Sequence, residues 1–331
     1  MYLRFYGLTE KPFSTTPDPR FLYLTTGHRE ALAQLLYGVQ ENMGFLVVTG
    51  EIGTGKTTLL HTLRQRLDGK TAVAFVFDSK LPFDGIIEYM LEDFGITKAG
   101  ETRAKRLIAL NNFLIERRRV RQNAVLIIDE AQNLDAATLE HIRLLSNFET
   151  PQEKLLQILL VGQPELRAKL QLPELRQLQQ RIALRCAIPL LTPAETREYI
   201  RKRLRVAGAL DLGIFTDRAI EAISKYAAGI PRVVNLVCDH CLIAGYGDQK
   251  RSIDVDVVRQ AIDSLEDRAH TRKRFFLRGR PLKPAVRWGL ATLAVLFAVF
   301  VSTPWLRRDA LEPIAAQLAS AVNAARELFT R

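Results

Sequence analysis

Gly50, Glu51, Ile52, Gly53, Thr54, Gly55, Lys56 and Thr57 fit the phosphate-loop pattern G-x-x-x-x-G-K-[ST] at every fixed position. Residues 45–49 before them are an apolar run suited to a buried strand, and Thr58 and the residues after it read as a helix. A strand, a glycine-rich turn and a helix in that order leave few folds open. Glycines let backbone N–H groups close around phosphates, and the helix N-terminus adds a favourable dipole. Residues 50–58 are therefore expected to bind ATP. Lys56 would reach the β- and γ-phosphates, and the Thr57 hydroxyl would ligate Mg²⁺.

A second motif lies about 70 residues on. Val125, Leu126, Ile127 and Ile128 are followed by Asp129 and Glu130, four apolar residues and then two acids. This reads as a Walker B strand. Asp129 would hold Mg²⁺, and Glu130 would polarise the attacking water. One carboxylate suffices for the metal, so the second points to hydrolysis. Gln163, after the apolar run 155–161, is a sensor candidate that could orient water or detect the γ-phosphate. Arg176, Arg181 and Arg185 are candidates for an arginine finger acting on a neighbouring subunit, with Arg181 preferred. A solvated helix face explains those arginines equally well. Pro231 near the first position of a helix places Arg232 on a lid, aimed at the γ-phosphate.

Strands at 45–49, 73–77, 124–128 and 155–161 alternate with helices at 28–42 and 101–119, the pattern of a parallel α/β sheet. From Thr192 the pattern turns helical, over 193–207, 216–227, 231–244 and 254–265. Thr192 and Glu195 form a capping box, and Thr216 is an N-cap. The implied organisation is an entry segment (1–43), an α/β core (44–190), a helical lid (191–266), a basic linker (267–287), a transmembrane helix (288–306) and a short tail (307–331).

The net charge is +11, of which residues 267–331 carry +8, from twelve Lys and Arg against four Asp and Glu. The first 266 residues carry only +3. That distribution favours a membrane over nucleic acid as the reason for the basicity. Residues 288–306 contain no charge and would span about 28 Å as a helix. Trp288 and Trp305 stand at the ends. The expected placement is a single pass through the bacterial inner membrane with the ATPase part cytoplasmic, since the positive charge lies on the N-terminal side. No secretory signal is evident at the start. The three cysteines give no disulfide framework, and Cys238 and Cys241 lie in an apolar helical run as a structural pair.

Together these residues resemble an AAA+ ATPase, with a P-loop NTPase α/β core and a C-terminal helical lid. The likeness extends to the general-secretion-pathway protein A (ExeA) family. It is carried by Phe5-Tyr-Gly-Leu-Thr-Glu-Lys-Pro-Phe, Pro17-Asp-Pro-Arg-Phe-Leu-Tyr-Leu and the phosphate loop. Ile128-Asp-Glu-Ala-Gln-Asn-Leu, Val161-Gly-Gln-Pro-Glu-Leu, Leu175-Arg-Gln-Leu-Gln-Gln-Arg-Ile and Gly229-Ile-Pro-Arg-Val-Val-Asn complete the set. The resemblance covers residues 1 to about 266. It implies an oligomeric ATPase serving membrane proteins of secretion, pilus or polysaccharide-export machinery, with nucleotide near subunit interfaces. It also implies that Phe13 and Tyr23 lie by the adenine. Longer members carry a peptidoglycan-binding part, whereas 25 residues follow the expected span here, so peptidoglycan is not the expected partner. A DNA-dependent ATPase of the transposition-adaptor type and an ATP-gated scaffold are the competing readings.

Overall fold

The computed structural model describes residues 1–277, apart from 15–17, 68 and 78–79. Met1–Ser264 form one compact unit and Leu265–Arg331 a second. The first half of the chain runs through α1 (Tyr2–Phe5), α2 (Thr26–Gln40), β1 (Phe45–Thr49), α3 (Lys56–Arg66), β2 (Ala72–Val76), α4 (Phe83–Asp93), α5 (Arg103–Arg119) and β3 (Ala124–Ile128). Then follow α6 (Ala136–Leu145), β4 (Gln157–Gly162), α7 (Pro164–Leu170), α8 (Arg176–Arg181) and β5 (Ile182–Ala187). The helices α9 (Pro193–Val206), α10 (Asp217–Ala227), α11 (Pro231–Gly247) and α12 (Val255–Leu277) complete the described chain.

The five strands pair in the order β2-β3-β4-β1-β5, every pair parallel. Successive side chains of a strand face opposite sides, and both sides are covered here. Phe45, Val47, Leu126, Ile128, Ile158 and Leu160 pack toward α4–α8. Leu46, Val48, Val125, Ile127, Leu159 and Val161 pack toward α2 and α3. Burial on both faces explains why β1, β3 and β4 are continuous apolar runs instead of alternating ones. All these side chains are nearly or fully buried, each contributing about 1.5–3 kcal/mol of transfer free energy. The parallel order puts the carboxyl ends of β1, β3 and β4 side by side, where β-to-α turns gather polar groups.

The sequence expectations hold for β1 and β3 and shift by a residue or two at β2 and β4. Additional elements are α1, α4, α6, α7 and β5. Residues 182–187 form an edge strand beside β1, so Arg185 lies in a strand while Arg181 ends a helix. Helix α12 runs on to Leu277, past the expected end at 265.

Helices α9 and α10 begin with their expected caps. Thr192 Oγ1 accepts from Glu195 N, and the Glu195 carboxylate accepts from Thr192 N, closing the capping box. Thr216 caps α10. The N-terminal segment is strapped onto these helices. Tyr2 Oη donates to Asp239 (2.7 Å), Thr9 N donates to Ala207 O (2.8 Å), and the buried Arg203 donates to Pro12 O (2.6 Å) and Ser14 O (3.1 Å).

The single-pass inner-membrane placement needs correction. Among the described residues no helix is long and apolar enough to cross a membrane. The 23-residue α12 is long enough, but Asp256, Arg259, Asp263, Glu266 and Asp267 are spread along it. The expected span at 288–306 and the tail at 307–331 lie outside the described residues, so the single-pass claim and the cytoplasmic side derived from it lose their support.

Candidate active site

The phosphate loop joins β1 to α3. Gly55 caps α3 in the left-handed region (φ +96°), and no side chain caps this helix. A capping Thr or Asp begins α2, α5, α6, α9 and α10, whereas α4, α7, α8 and α11 lack one as α3 does. The first N–H groups of α3 are thus left for an anion at the helix mouth. Gly53 is also left-handed (φ +83°), and a Cβ there would stand 2.6 Å from Arg232 Cβ. A Cβ on Gly50 would stand 2.9 Å from Thr54 Oγ1. Thr54 is buried, its hydroxyl donating to Glu51 O (2.9 Å), whereas Ile52 is exposed. Thr58 lies in the first turn of α3, where its carbonyl accepts from Thr62 Oγ1 (2.9 Å).

Lys56 is only 6% exposed, and its ammonium donates to Gly50 O (2.7 Å) and Glu51 O (2.9 Å). Burial pulls its pKa below the usual lysine value. Glu130, Asp129, Glu51 and Glu165 oppose that shift. Thr57 Oγ1 donates to Asp129 Oδ2 (3.0 Å), so the two expected metal ligands meet directly. One hydroxyl and one carboxylate on adjacent elements are the hard oxygen donors that Mg²⁺ takes together with substrate phosphates. The loop geometry and this pair therefore fit a Mg²⁺-nucleotide.

Glu130 follows at the end of β3 with a left-handed backbone (φ +52°), a conformation costing a non-glycine residue about 1–3 kcal/mol. Its Oε2 accepts from Gln163 Nε2 (3.0 Å), which brings the sensor candidate onto the candidate base. It also accepts from Gln132 Nε2 (2.5 Å). Arg232 comes to the loop as well: its backbone N donates to Gly53 O (3.3 Å), seating the start of α11 on the phosphate loop. Arg181 does not join this cluster in its own chain. Its guanidinium is hydrogen-bonded to Ser146 and Asn147, just past α6.

Phe13 is buried edge-on against Phe215, and Tyr23 lies edge-on to Tyr199. Both rings are engaged with the helical part of the unit. Cys238 and Cys241 are buried free thiols, and burial pushes Cys241 up to about 12. Among the described residues no group of three or more His, Cys, Asp or Glu could hold a metal.

Two residues at the site escape sequence reasoning. His28, buried in the first turn of α2, sits 2.9 Å by Nε2 from Thr54 O and 2.7 Å by Nδ1 from Thr25 Oγ1. A carbonyl only accepts, so Nε2 carries the proton and Nδ1 accepts from the threonine hydroxyl. The one sequence signal was the N-cap spacing from Thr25 to His28. Gln132 lay inside the stretch Ile128-Asp-Glu-Ala-Gln-Asn-Leu that carries the family likeness, but no role was read for it.

Residues 39–170 match the AAA domain family. The chain is 38% identical over 271 residues to general secretion pathway protein A of Aeromonas hydrophila, covering 81% of this chain and 49% of the relative. It thus spans about half the length of that relative. Among solved structures, the Aeropyrum pernix ORC2 protein in its ADPNP-ADP complexes superposes with a TM-score of 0.57 at 21% identity, over 78% of this chain and 72% of the other. Cdc6p from Pyrobaculum aerophilum gives 0.56 at 20%, over 75% and 71%. At such identities the likeness concerns the fold alone. The order of β1, phosphate loop, Asp129-Glu130 and Gln163, together with the AAA domain match over residues 39–170, gives the chain the AAA+ P-loop fold, and it is a relative of general secretion pathway protein A across 81% of its own length.

Proposed function

We propose that this chain is a Mg²⁺-dependent ATPase whose cycle assembles or remodels a bacterial secretion, pilus or polysaccharide-export apparatus. The observation that carries the catalytic half is the meeting of Thr57 with Asp129 while Glu130, the adjacent carboxylate, is held by Gln163. Residues 50–58 hold the phosphates, with Lys56 on the β- and γ-phosphates. Thr57 and Asp129 hold Mg²⁺, which neutralises phosphate charge when bound. Glu130 orients a water toward the γ-phosphorus and takes its proton. Gln163 keeps that carboxylate in place, and Arg232 extends from the lid toward the γ-phosphate. Residues 44–190 act as the ATPase core and 191–266 as the lid.

The apparatus half rests on the name of the relative, general secretion pathway protein A. Homo-oligomerisation accompanies this reading, with Arg181 serving a neighbouring subunit's nucleotide once its hydrogen bonds to Ser146 and Asn147 are exchanged. Steady-state Mg-ATP turnover measured across protein concentrations tests the hydrolytic and the oligomeric readings. Turnover per chain that rises with concentration, and is lost in Lys56→Ala, supports an oligomeric ATPase. Concentration-independent turnover in an Arg181→Ala protein equal to wild type removes the role in trans. No turnover at any concentration contradicts the hydrolytic reading.

A further inference from the structure

Gln132 occupies the short 3₁₀ turn Ala131–Asn133 that directly follows Glu130. Its amide is anchored at both ends. The oxygen Oε1 accepts from the backbone N–H of Gln163 (3.1 Å), and the nitrogen Nε2 donates to Glu130 Oε2 (2.5 Å). A backbone N–H can only donate, so it must face the amide oxygen, and this fixes the nitrogen toward the carboxylate. The main chain of Gln132 is held too, since its carbonyl accepts from the Lys169 ammonium on α7. Gly162 leaves the room required: a Cβ there would stand 2.7 Å from Gln132 Oε1.

We propose that Gln132 is a positioning residue that locks Glu130 to the carboxyl end of β4, so that the Glu130 carboxylate and Gln163 move as one unit. Two side-chain amides, Gln132 and Gln163, then converge on one oxygen of Glu130, while the Gln132 oxygen ties that pair to the β4 backbone. Both donors are neutral. A lysine or arginine in either place would orient the carboxylate equally but would also stabilise its charged form and weaken it as a base. Amides fix direction at a smaller loss of basicity, which is what a carboxylate orienting water requires.

The proposal rests on the hydrolytic reading above, and the test separates the two. In the full chain, Gln132→Met removes both polar ends without adding charge. Gln132→Glu keeps an oxygen for the Gln163 N–H and removes the donor to Glu130. For both variants kcat for Mg-ATP should fall at least tenfold, with KM within threefold of wild type. Combined with Glu130→Gln, Gln132→Met should cause no further fall under single-turnover conditions, because it acts through Glu130. Hydrogen exchange at the Gln163 backbone N–H should accelerate in Gln132→Met and stay near wild type in Gln132→Glu.

A kcat within twofold of wild type in both variants, or a KM that rises in step with the loss of kcat, would overturn the assignment. So would a further tenfold loss on the Glu130→Gln background. If the wild-type chain does not turn over ATP, the hydrolytic reading fails and exchange still decides the clamp: unchanged protection of the Gln163 N–H in Gln132→Met overturns it.

Discussion

His28 shows how much one buried side chain ties together at the scale of a residue. Its ring joins the cap of α2 to the carbonyl of Thr54 in the phosphate loop, so the entry segment reaches the loop through a single imidazole. Burial depresses its pKa below the ordinary value of 6.5, against the opposing hydrogen bond to Thr54. In the window below about pH 6.5 the unfolded chain therefore takes up a proton before the folded one does. The stability tied to neutral His28 is fully present above that pH and is lost as pH falls through the lowered folded value. Comparing melting temperatures at about pH 7.5 and 5.5 should give a smaller acid loss for His28→Asn than for wild type. Equal losses would mean that another group carries the acid sensitivity. The phosphate-loop residues, Asp129 and Glu130 were legible in the sequence because each belongs to a contiguous motif with a fixed chemical reason. His28 and Gln132 were not, since their partners are a backbone carbonyl 26 residues away and a backbone N–H 31 residues away. No spacing rule encodes such contacts.

At the scale of an element, the strands that could be read were those buried on both faces. β3 is apolar throughout, β1 is apolar up to Thr49 and β4 is apolar after Gln157, so burial dictated their composition. β5 sits at the sheet edge with exposed residues alternating along it, and Ile182-Ala-Leu-Arg-Cys-Ala continues the arginine spacing of α8. Only its pairing with β1 makes it a strand. Helices α4 and α6 do carry helical spacing, with Phe83, Ile86, Ile87, Met90 and Leu91 on the buried face of α4 and Leu139, Ile142 and Leu145 on that of α6, so both were legible in the sequence and were passed over. The N-terminal strap is a case like β5, because its stability lies in contacts far along the chain. Arg203 on α9 donates to two of its carbonyls and to Tyr199 Oη (2.7 Å), beneath a surface of Phe21 and Tyr199 rings. Arg203→Ala strands those carbonyls, each at a cost of about 1–3 kcal/mol where water does not replace the donor. The variant should melt at a lower temperature and be cleaved faster by protease within residues 1–24 under native conditions. Unchanged cleavage there would show that the aromatic contacts of Phe13 and Tyr23 hold the strap without the guanidinium.

On the scale of the whole molecule, α2 and α11 both reach the phosphate loop. The strap is fastened to α9 and α11, α2 reaches Thr54 through His28, and α11 rests on Gly53 through Arg232. Lid position and loop conformation are therefore joined on two sides of the same glycine-rich turn. Nucleotide bound at that turn is placed to bias where the lid sits, which is how a hydrolytic cycle would be passed to a partner or a neighbouring copy. The parallel α/β sheet was legible in outline from the motif order, whereas the attachment of the N-terminal segment to α9 and α11 was not. The central claim is that Glu130 serves hydrolysis while the phosphate loop and the Thr57–Asp129 pair serve binding. Single-turnover hydrolysis and Mg-ATP affinity measured together on wild type and Glu130→Gln test it most directly. Glu130→Gln should keep affinity within about threefold of wild type, under 1 kcal/mol, and hydrolyse at least roughly a hundredfold more slowly, the lower range for loss of a general base. Equal hydrolysis rates in the two proteins, or a loss of rate explained by a matching loss of affinity, would contradict it.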